Sequence, residues 1–222
     1  MQVALTLVTL LEERGLKVSS KTVVTTTPAR VAKKVVDRLA RVGIAFQSTH
    51  VARDLGIDTF GVRRGTKVMQ GRLQKAKQRA KGVKALLKVH KGARALVNTG
   101  FRPTAVWGLE AQGLSPTALR RLRALTAGMT GAHHPGGCAT IAIHLALNEY
   151  ADPLLYGRMG IFKEWLYTLD ALASQQQAVN RAWSRLAAQL KSSPRPWQKV
   201  KGSISAVIAS LLDIGWEPVT PS

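Results

Sequence analysis

The side chains that could do bond-making chemistry in this chain are few. His133, His134 and Cys138 crowd around a Pro-Gly-Gly turn, with His144 beyond. A zinc ion asks for three or four ligands at supporting spacing, and neither a second cysteine nor a nearby carboxylate completes this set. The stretch reads as a loop with polar decoration. Cys138 is the only cysteine, so neither a disulfide within the chain nor a cysteine-based zinc module can form. No oriented base marks it as a nucleophile. Asp54 and Asp58, read as strand residues four apart, would stand about 13 Å from each other, too far for joint acid–base work. No stretch matches a phosphate-binding glycine loop or a dinucleotide fingerprint.

Glu149-Tyr150-Ala151-Asp152-Pro153 has the outline of Tyr-Ala-Asp-Asp, a metal-binding signature of polymerases, with Pro153 where the second aspartate would stand. Two-metal chemistry needs carboxylates clustered around ions ~3.5–4 Å apart, which Asp152 alone does not supply. Asp152 is instead expected to cap a helix whose first residue is Pro153.

Charge is the dominant signal. The 222 residues carry 33 Lys and Arg against 12 Asp and Glu, a net +21. Such an excess repels itself in a compact fold unless a polyanion is the usual partner. Nucleic acid is the expected one, since each neutralised phosphate releases counterions. Twelve cations and no acid fall between Arg63 and Arg94: Arg63, Arg64, Lys67, Arg72, Lys75, Lys77, Arg79, Lys81, Lys84, Lys88, Lys91 and Arg94. A merely solvated helix face mixes signs in i,i+4 pairs, and this one has none to mix. The absence of interleaved aromatics argues against a single-strand stacking platform, so a sequence-independent phosphate contact is expected.

These residues must be positioned by the rest of the chain. Aromatics are scarce at 5% and the apolar fraction of 45% rests largely on alanine and leucine, which favours helix. Val3, Leu7, Leu10 and Leu11 share a helical face closed by Gly15. Lys17 to Thr26, rich in β-branched residues, reads as a strand. Thr27-Pro28 starts a helix with Val31, Val35, Val36 and Leu39 on its apolar side, ending near Gly43. Ile44–Val51 and Leu55–Phe60 read as strands joined through Ala52 to Asp54. A long basic helix follows from Thr66 to about Val89, with Leu73, Ala76, Ala80, Val83 and Leu87 as its core stripe. Further helices are expected over Ala93–Val106, Ser115–Ala127, Ala139–Asn148, Pro153–Leu172, Gln175–Leu190 and Val200–Leu212. The five tryptophans are assigned to packing, and the tail from Gly215 is expected to end without a closing element. The fold class is α+β and predominantly helical, in segments 1–62, 63–130 and 131–222. No run approaches the ~20 apolar residues of a membrane span, and no signal peptide is recognised, so a soluble, intracellular chain without a membrane partner is expected.

Leu10-Leu11-Glu12-Glu13-Arg14-Gly15-Leu16-Lys17-Val18-Ser19-Ser20-Lys21-Thr22-Val23-Val24, then Asp54-Leu55-Gly56-Ile57-Asp58, then Arg102-Pro103-Thr104-Ala105-Val106-Trp107-Gly108-Leu109-Glu110 stand in one order along the chain. That order resembles the region after the catalytic aspartates in reverse transcriptases of non-LTR, LINE-type retrotransposons. Ser20 departs from the asparagine commoner there. The resemblance implies a small α/β palm remnant followed by a basic, thumb-like helical bundle and a helical connection segment. It also implies that the palm aspartates and fingers lie upstream. It would place Lys21 near the incoming nucleotide's phosphates, against the plainer reading of a solvent-facing lysine. Leu55 and Gly56 would support the primer end. Arg63, Arg64, Lys67, Arg72, Lys75, Lys77, Arg79, Lys81, Lys84 and Lys88 would hold the template–primer duplex. No cofactor is expected in this chain, Mg2+ belonging to the intact parent polymerase.

The expected function is therefore a truncated RNA-directed DNA polymerase segment that grips RNA, DNA or an RNA–DNA duplex without sequence preference. It lacks the catalytic aspartates, so the chain alone is not expected to polymerise. One alternative is a stand-alone basic helical protein that binds or packages nucleic acid. Another is an interaction protein whose basic helix docks on an acidic partner or membrane surface.

Overall fold

The computed structural model describes residues 2–19, 21–26, 29–49, 51–54, 57–60, 67–132 and 136–221; for 2–4, 29, 51, 53–54, 57–60 and 67 it describes the backbone alone. The chain divides into two compact units, residues 1–65 and 66–222. It is predominantly helical with a minor strand component in the first unit.

In the first unit, helices α1 (Gln2–Glu13) and α2 (Ala29–Ala40) accompany two two-stranded sheets. Both helices end where glycine allows a left-handed turn. Gly15 (φ 73°) and Gly43 (φ 81°) let Leu16 N and Ile44 N reach back to the carbonyls of Leu11 and Leu39, at 2.9 and 3.0 Å. The inward face of α1 differs from the expected one. Val8 is buried and Leu11 half-buried, whereas Leu7 and Leu10 are exposed. On α2 the inward set is Ala32, Val35, Val36 and Leu39, with Val31 outside.

The strand expected over Lys17–Thr26 shrinks to β1 (Val23–Val24), paired in parallel with β2 (Gln47–Ser48). The cause is local. Ser19 accepts from Lys21 N through its hydroxyl and from Thr22 N through its carbonyl, which turns the backbone away from a ladder. The hairpin also sits elsewhere: β3 (Val51–Asp54) pairs antiparallel with β4 (Ile57–Phe60), Asp54 opposite Ile57, so residues 55–56 form the connection rather than Ala52 to Asp54. Asp54 and Asp58 thus belong to two strands, with Asp58 opposite Arg53. The Thr27-Pro28 helix start lies outside the described residues.

The second unit packs helices around one main core and a smaller cluster of Ala127, Ile143 and Ala151. They are α3 (Lys67–Leu87), α4 (Arg102–Val106), α5 (Leu109–Gln112), α6 (Pro116–Gly128), α7 (Ala139–Ala146), α8 (Pro153–Ala171), α9 (Gln176–Lys191), α10 (Pro196–Lys199) and α11 (Ser203–Asp213). The start signals read from sequence hold. Ser115 Oγ accepts from Ala118 N at 3.4 Å ahead of Pro116, and Asp152 Oδ1 from Leu154 N at 2.9 Å ahead of Pro153. Helix α11 is the centre: Ser205 to Ser210 are all buried, and it touches α5, α8, α9 and α10. Its buried hydroxyls are satisfied within the helix, Ser210 Oγ donating to Ala206 O at 2.8 Å and Ser205 Oγ to Gly202 O at 2.9 Å. The main core runs from Ala76 on α3 to Ala209 on α11, whereas Ile143 of α7 belongs to the smaller cluster.

The tail is not the loose end expected from its sequence. Trp165 and Trp183 stack with ring centroids 5.7 Å apart, and their indole N–H groups donate to the carbonyls of Pro221 (2.9 Å) and Pro218 (3.0 Å). Lys191 pairs with Glu217 on the same segment and holds that carboxyl below its usual range.

Within α3, Gly71 and Gly82 face open space, with no atom within 4 Å of where a Cβ would stand. Each Gly→Ala replacement should therefore stabilise the second unit by about 0.5–1 kcal/mol through helix propensity alone. Denaturant unfolding followed by far-UV circular dichroism checks this, and a loss of stability would contradict a continuous helix over 67–87.

Candidate nucleic-acid interface

The basic helix α3 docks by a stripe of small residues. Ala76, Ala80 and Val83 are buried, and Leu73 and Leu87 pack half-buried beside them, as the 3.6-residue period requires. At ~100° per residue the cations then separate into two flanks. Arg72, Lys75 and Arg79 fall on one, and Lys77, Lys81, Lys84 and Lys88 on the other. Gln74, Gln78, Gly82 and Ala85 run along the exposed crest between them.

The arginine flank is engaged by the protein itself. A helical run ahead of Pro103 widens into a π turn over Val97–Phe101, next to a residue with no N–H to give. The Gly100 carbonyl there takes side-chain bonds from Arg79 Nη1 at 2.7 Å and Thr104 Oγ1 at 3.0 Å. Arg72 Nη1 donates to the carbonyl of Trp107, the residue that ends α4. Both guanidinium groups thus bond to carbonyls at irregular helix positions. The sequence pattern marked both arginines as cations without revealing these partners, 35 and 21 residues away.

The lysine flank is different. Lys77, Lys81, Lys84 and Lys88 are exposed, and none has an acidic partner among the described residues. Lys84 reaches toward α6, its Nζ 2.5 Å from where a Cβ on Gly128 would stand. Gly128 is the last residue of α6, where a cation is favoured by the carbonyl end of the helix. Arg120 and Arg121 are exposed on α6, and Arg121 faces Lys77 across a groove between the two helices. Lys75 is exposed on the arginine flank. Arg63 and Arg64 lie outside the described residues, as does the side chain of Lys67, which opens α3.

In the first unit Lys21 is exposed in the turn held by Ser19, not in a strand. Leu55 and Gly56 fall between β3 and β4, outside the described residues.

Of the polar sites set aside from sequence, Asp152 has a structural role. Asp152, 3% exposed, caps α8 and pairs with Arg123 at 3.0 Å, while Arg123 also donates to Thr140 at the start of α7. One ion pair thus ties α6, α7 and α8 together. Nothing in the sequence signals that Arg123 pairs with Asp152, 29 residues away. Cys138 is exposed at the start of α7, where the backbone N–H of Ile141, then the Thr140 side chain and N–H, hold its thiol below the usual range. His144 is exposed, and His133 and His134 lie outside the described residues. Among the described residues no three His, Cys, Asp or Glu side chains gather as metal ligands. Among the described residues no helix is long and apolar enough to cross a membrane.

Comparison with protein-family models, with curated proteins and with solved structures returned no match to this chain.

The two flanks should separate on substitution. Arg72→Gln and Arg79→Gln are each expected to cost about 0.5–1.5 kcal/mol of stability by removing a charge-assisted hydrogen bond that anchors α3. The fourfold Lys77, Lys81, Lys84, Lys88→Gln variant should stay close to wild-type stability, relief of self-repulsion offsetting the loss of Lys84 at the carbonyl end of α6. Thermal melts of the three variants decide, and equal losses on both flanks would remove the distinction.

Proposed function

We propose that this chain grips nucleic acid through its phosphate backbone, using the lysine flank of α3 with Arg120 and Arg121 of α6. The observation that carries this reading is the absence of any Asp or Glu from Thr59 to Leu109, a stretch whose exposed lysines project from a helix anchored on its opposite side. Four lysines about one turn apart make a row of point charges, which suits a regular polyanion and reads no base. Within the resemblance to non-LTR reverse transcriptases, this helix would be the thumb that holds a template–primer duplex. The chain would be the part of an RNA-directed DNA polymerase that follows the catalytic aspartates. The helical character of residues 66–222 and the small α/β first unit support that assignment.

A second reading is a stand-alone basic helical protein that binds or packages nucleic acid. The continuous core from α3 to α11, with the 214–221 segment docked on the tryptophan pair, favours it. Cooperative unfolding of residues 66–222 speaks for this reading, and a molten second unit for a polymerase piece that depends on its missing palm.

Binding of the full chain to an RNA–DNA primer–template duplex across a salt series tests the grip common to both. The log–log slope should be steep and should flatten by about 3–4 in the fourfold lysine variant, near one per phosphate contact removed. The Gln70→Ala variant, outside the row, should leave the slope unchanged. A slope indifferent to the lysines would refute the assignment of the grip to this flank.

A further inference from the structure

Between α3 and α6 lies a groove of about 570 Å³. Its volume falls in the ~300–1,000 Å³ range of small-molecule sites and far exceeds the ~30 Å³ share of one water. Helix α6 opens the space by presenting Ala124, a small exposed residue, where a larger side chain would close it. The floor is apolar, from Leu73 and Leu125. Gln70 and Gln74 stand one turn apart on the α3 wall, each offering an amide donor and acceptor. Lys77 and Arg121 approach from opposite walls, and neither has an acidic partner among the described residues.

That combination specifies the ligand: an anionic end for the two cations, a flat weakly polar body for the floor, and a hydrogen-bonding edge for the amides. We infer that the groove takes one unpaired nucleotide of the bound strand, its phosphate between Lys77 and Arg121 and its base over Leu73 and Leu125. The inference rests on the proposed backbone grip, because Lys77 belongs both to the groove and to the lysine row. A strand running along Lys81, Lys84 and Lys88 reaches the groove mouth at Lys77. A base held in a duplex has both faces stacked and its edge occupied, so it does not enter. Glutamine amides accept and donate alike, which makes the pocket tolerant of base identity while still requiring a base.

The test compares three duplexes of equal paired length with the full chain at fixed salt: blunt, with a one-nucleotide overhang, and with an abasic overhang of the same charge. Wild type should bind the overhang about fivefold more tightly than the abasic form, ~1 kcal/mol. Ala124→Phe, which fills the groove without changing charge, should abolish that preference and leave blunt-duplex affinity unchanged. The Gln70→Ala, Gln74→Ala pair should do the same, and provides the readout if the larger side chain of Ala124→Phe disturbs packing. Equal affinity of wild type for the base-bearing and abasic overhangs overturns the groove assignment while the grip stands. Binding to none of the duplexes overturns both.

Discussion

Everything on the basic side of the second unit depends on how α3 is held down. Its buried stripe is made largely of alanine, with Ala76 and Ala80 wholly covered and Val83 nearly so. Small side chains let the helix approach its neighbours closely, but they bury little apolar area, roughly 25 cal/mol for each Å² removed from water. A helix rich in like charges and poor in buried area needs other anchors. Arg72 and Arg79 provide them by bonding to carbonyls at the end of α4 and in the π turn before Pro103. The irregular helix opposite, which leaves a carbonyl facing outward, and the arginine that meets it are two halves of one arrangement.

How far this was legible from sequence follows from the range of each interaction. The α3 stripe, the Ser115-Pro116 and Asp152-Pro153 helix starts and the Gly15 turn are written within a few residues of each other, and all are found in the structure. Errors begin where one local rule competes with another. The β-branched run from Lys17 to Thr26 suggested a strand, yet a single serine, bonding to its own backbone, converts half of it into a turn. On α1 the leucine-rich face lost to Val8, because a short helix with apolar residues on several sides does not reveal which side its partner covers. The hairpin register slipped for a related reason: Ala52 to Asp54 reads as a turn by composition, but the pairing of Arg53 with Asp58 puts the connection later.

Interactions between distant segments left no trace in sequence. Arg123 and Asp152 are 29 residues apart, and neither neighbourhood announces the other. The docking of the tail left no sequence signal because what it offers its partners is backbone carbonyls. An indole N–H buried against another ring must find an acceptor, and here the chain returns 35 and 56 residues later to supply it. A segment of Gly, Trp, Glu and Pro with no helical or strand period can still close a core, because what it contributes is main-chain oxygen. The interface between α3 and α6 belongs to the same class. From sequence Lys77 is one cation of the α3 run, and nothing there places Ala124 and Arg121 across a groove from it.

The division of labour between the two kinds of cation bears on the proposed partner. Arginine's planar fork suits fixed acceptors, and on α3 it is spent on the protein's own carbonyls. What remains for a ligand is mostly lysine, a hydrated point charge on a flexible stem. A row of such charges gains by releasing counterions from a phosphate chain and gains nothing from the order of its bases. An interface meant to read sequence would present the opposite arrangement, with arginine forks free and ordered toward base edges. The protein's own packing thus selects which cations are left over. That selection favours a grip that travels along a duplex over one that stops at a site, the property a polymerase thumb and a packaging protein share.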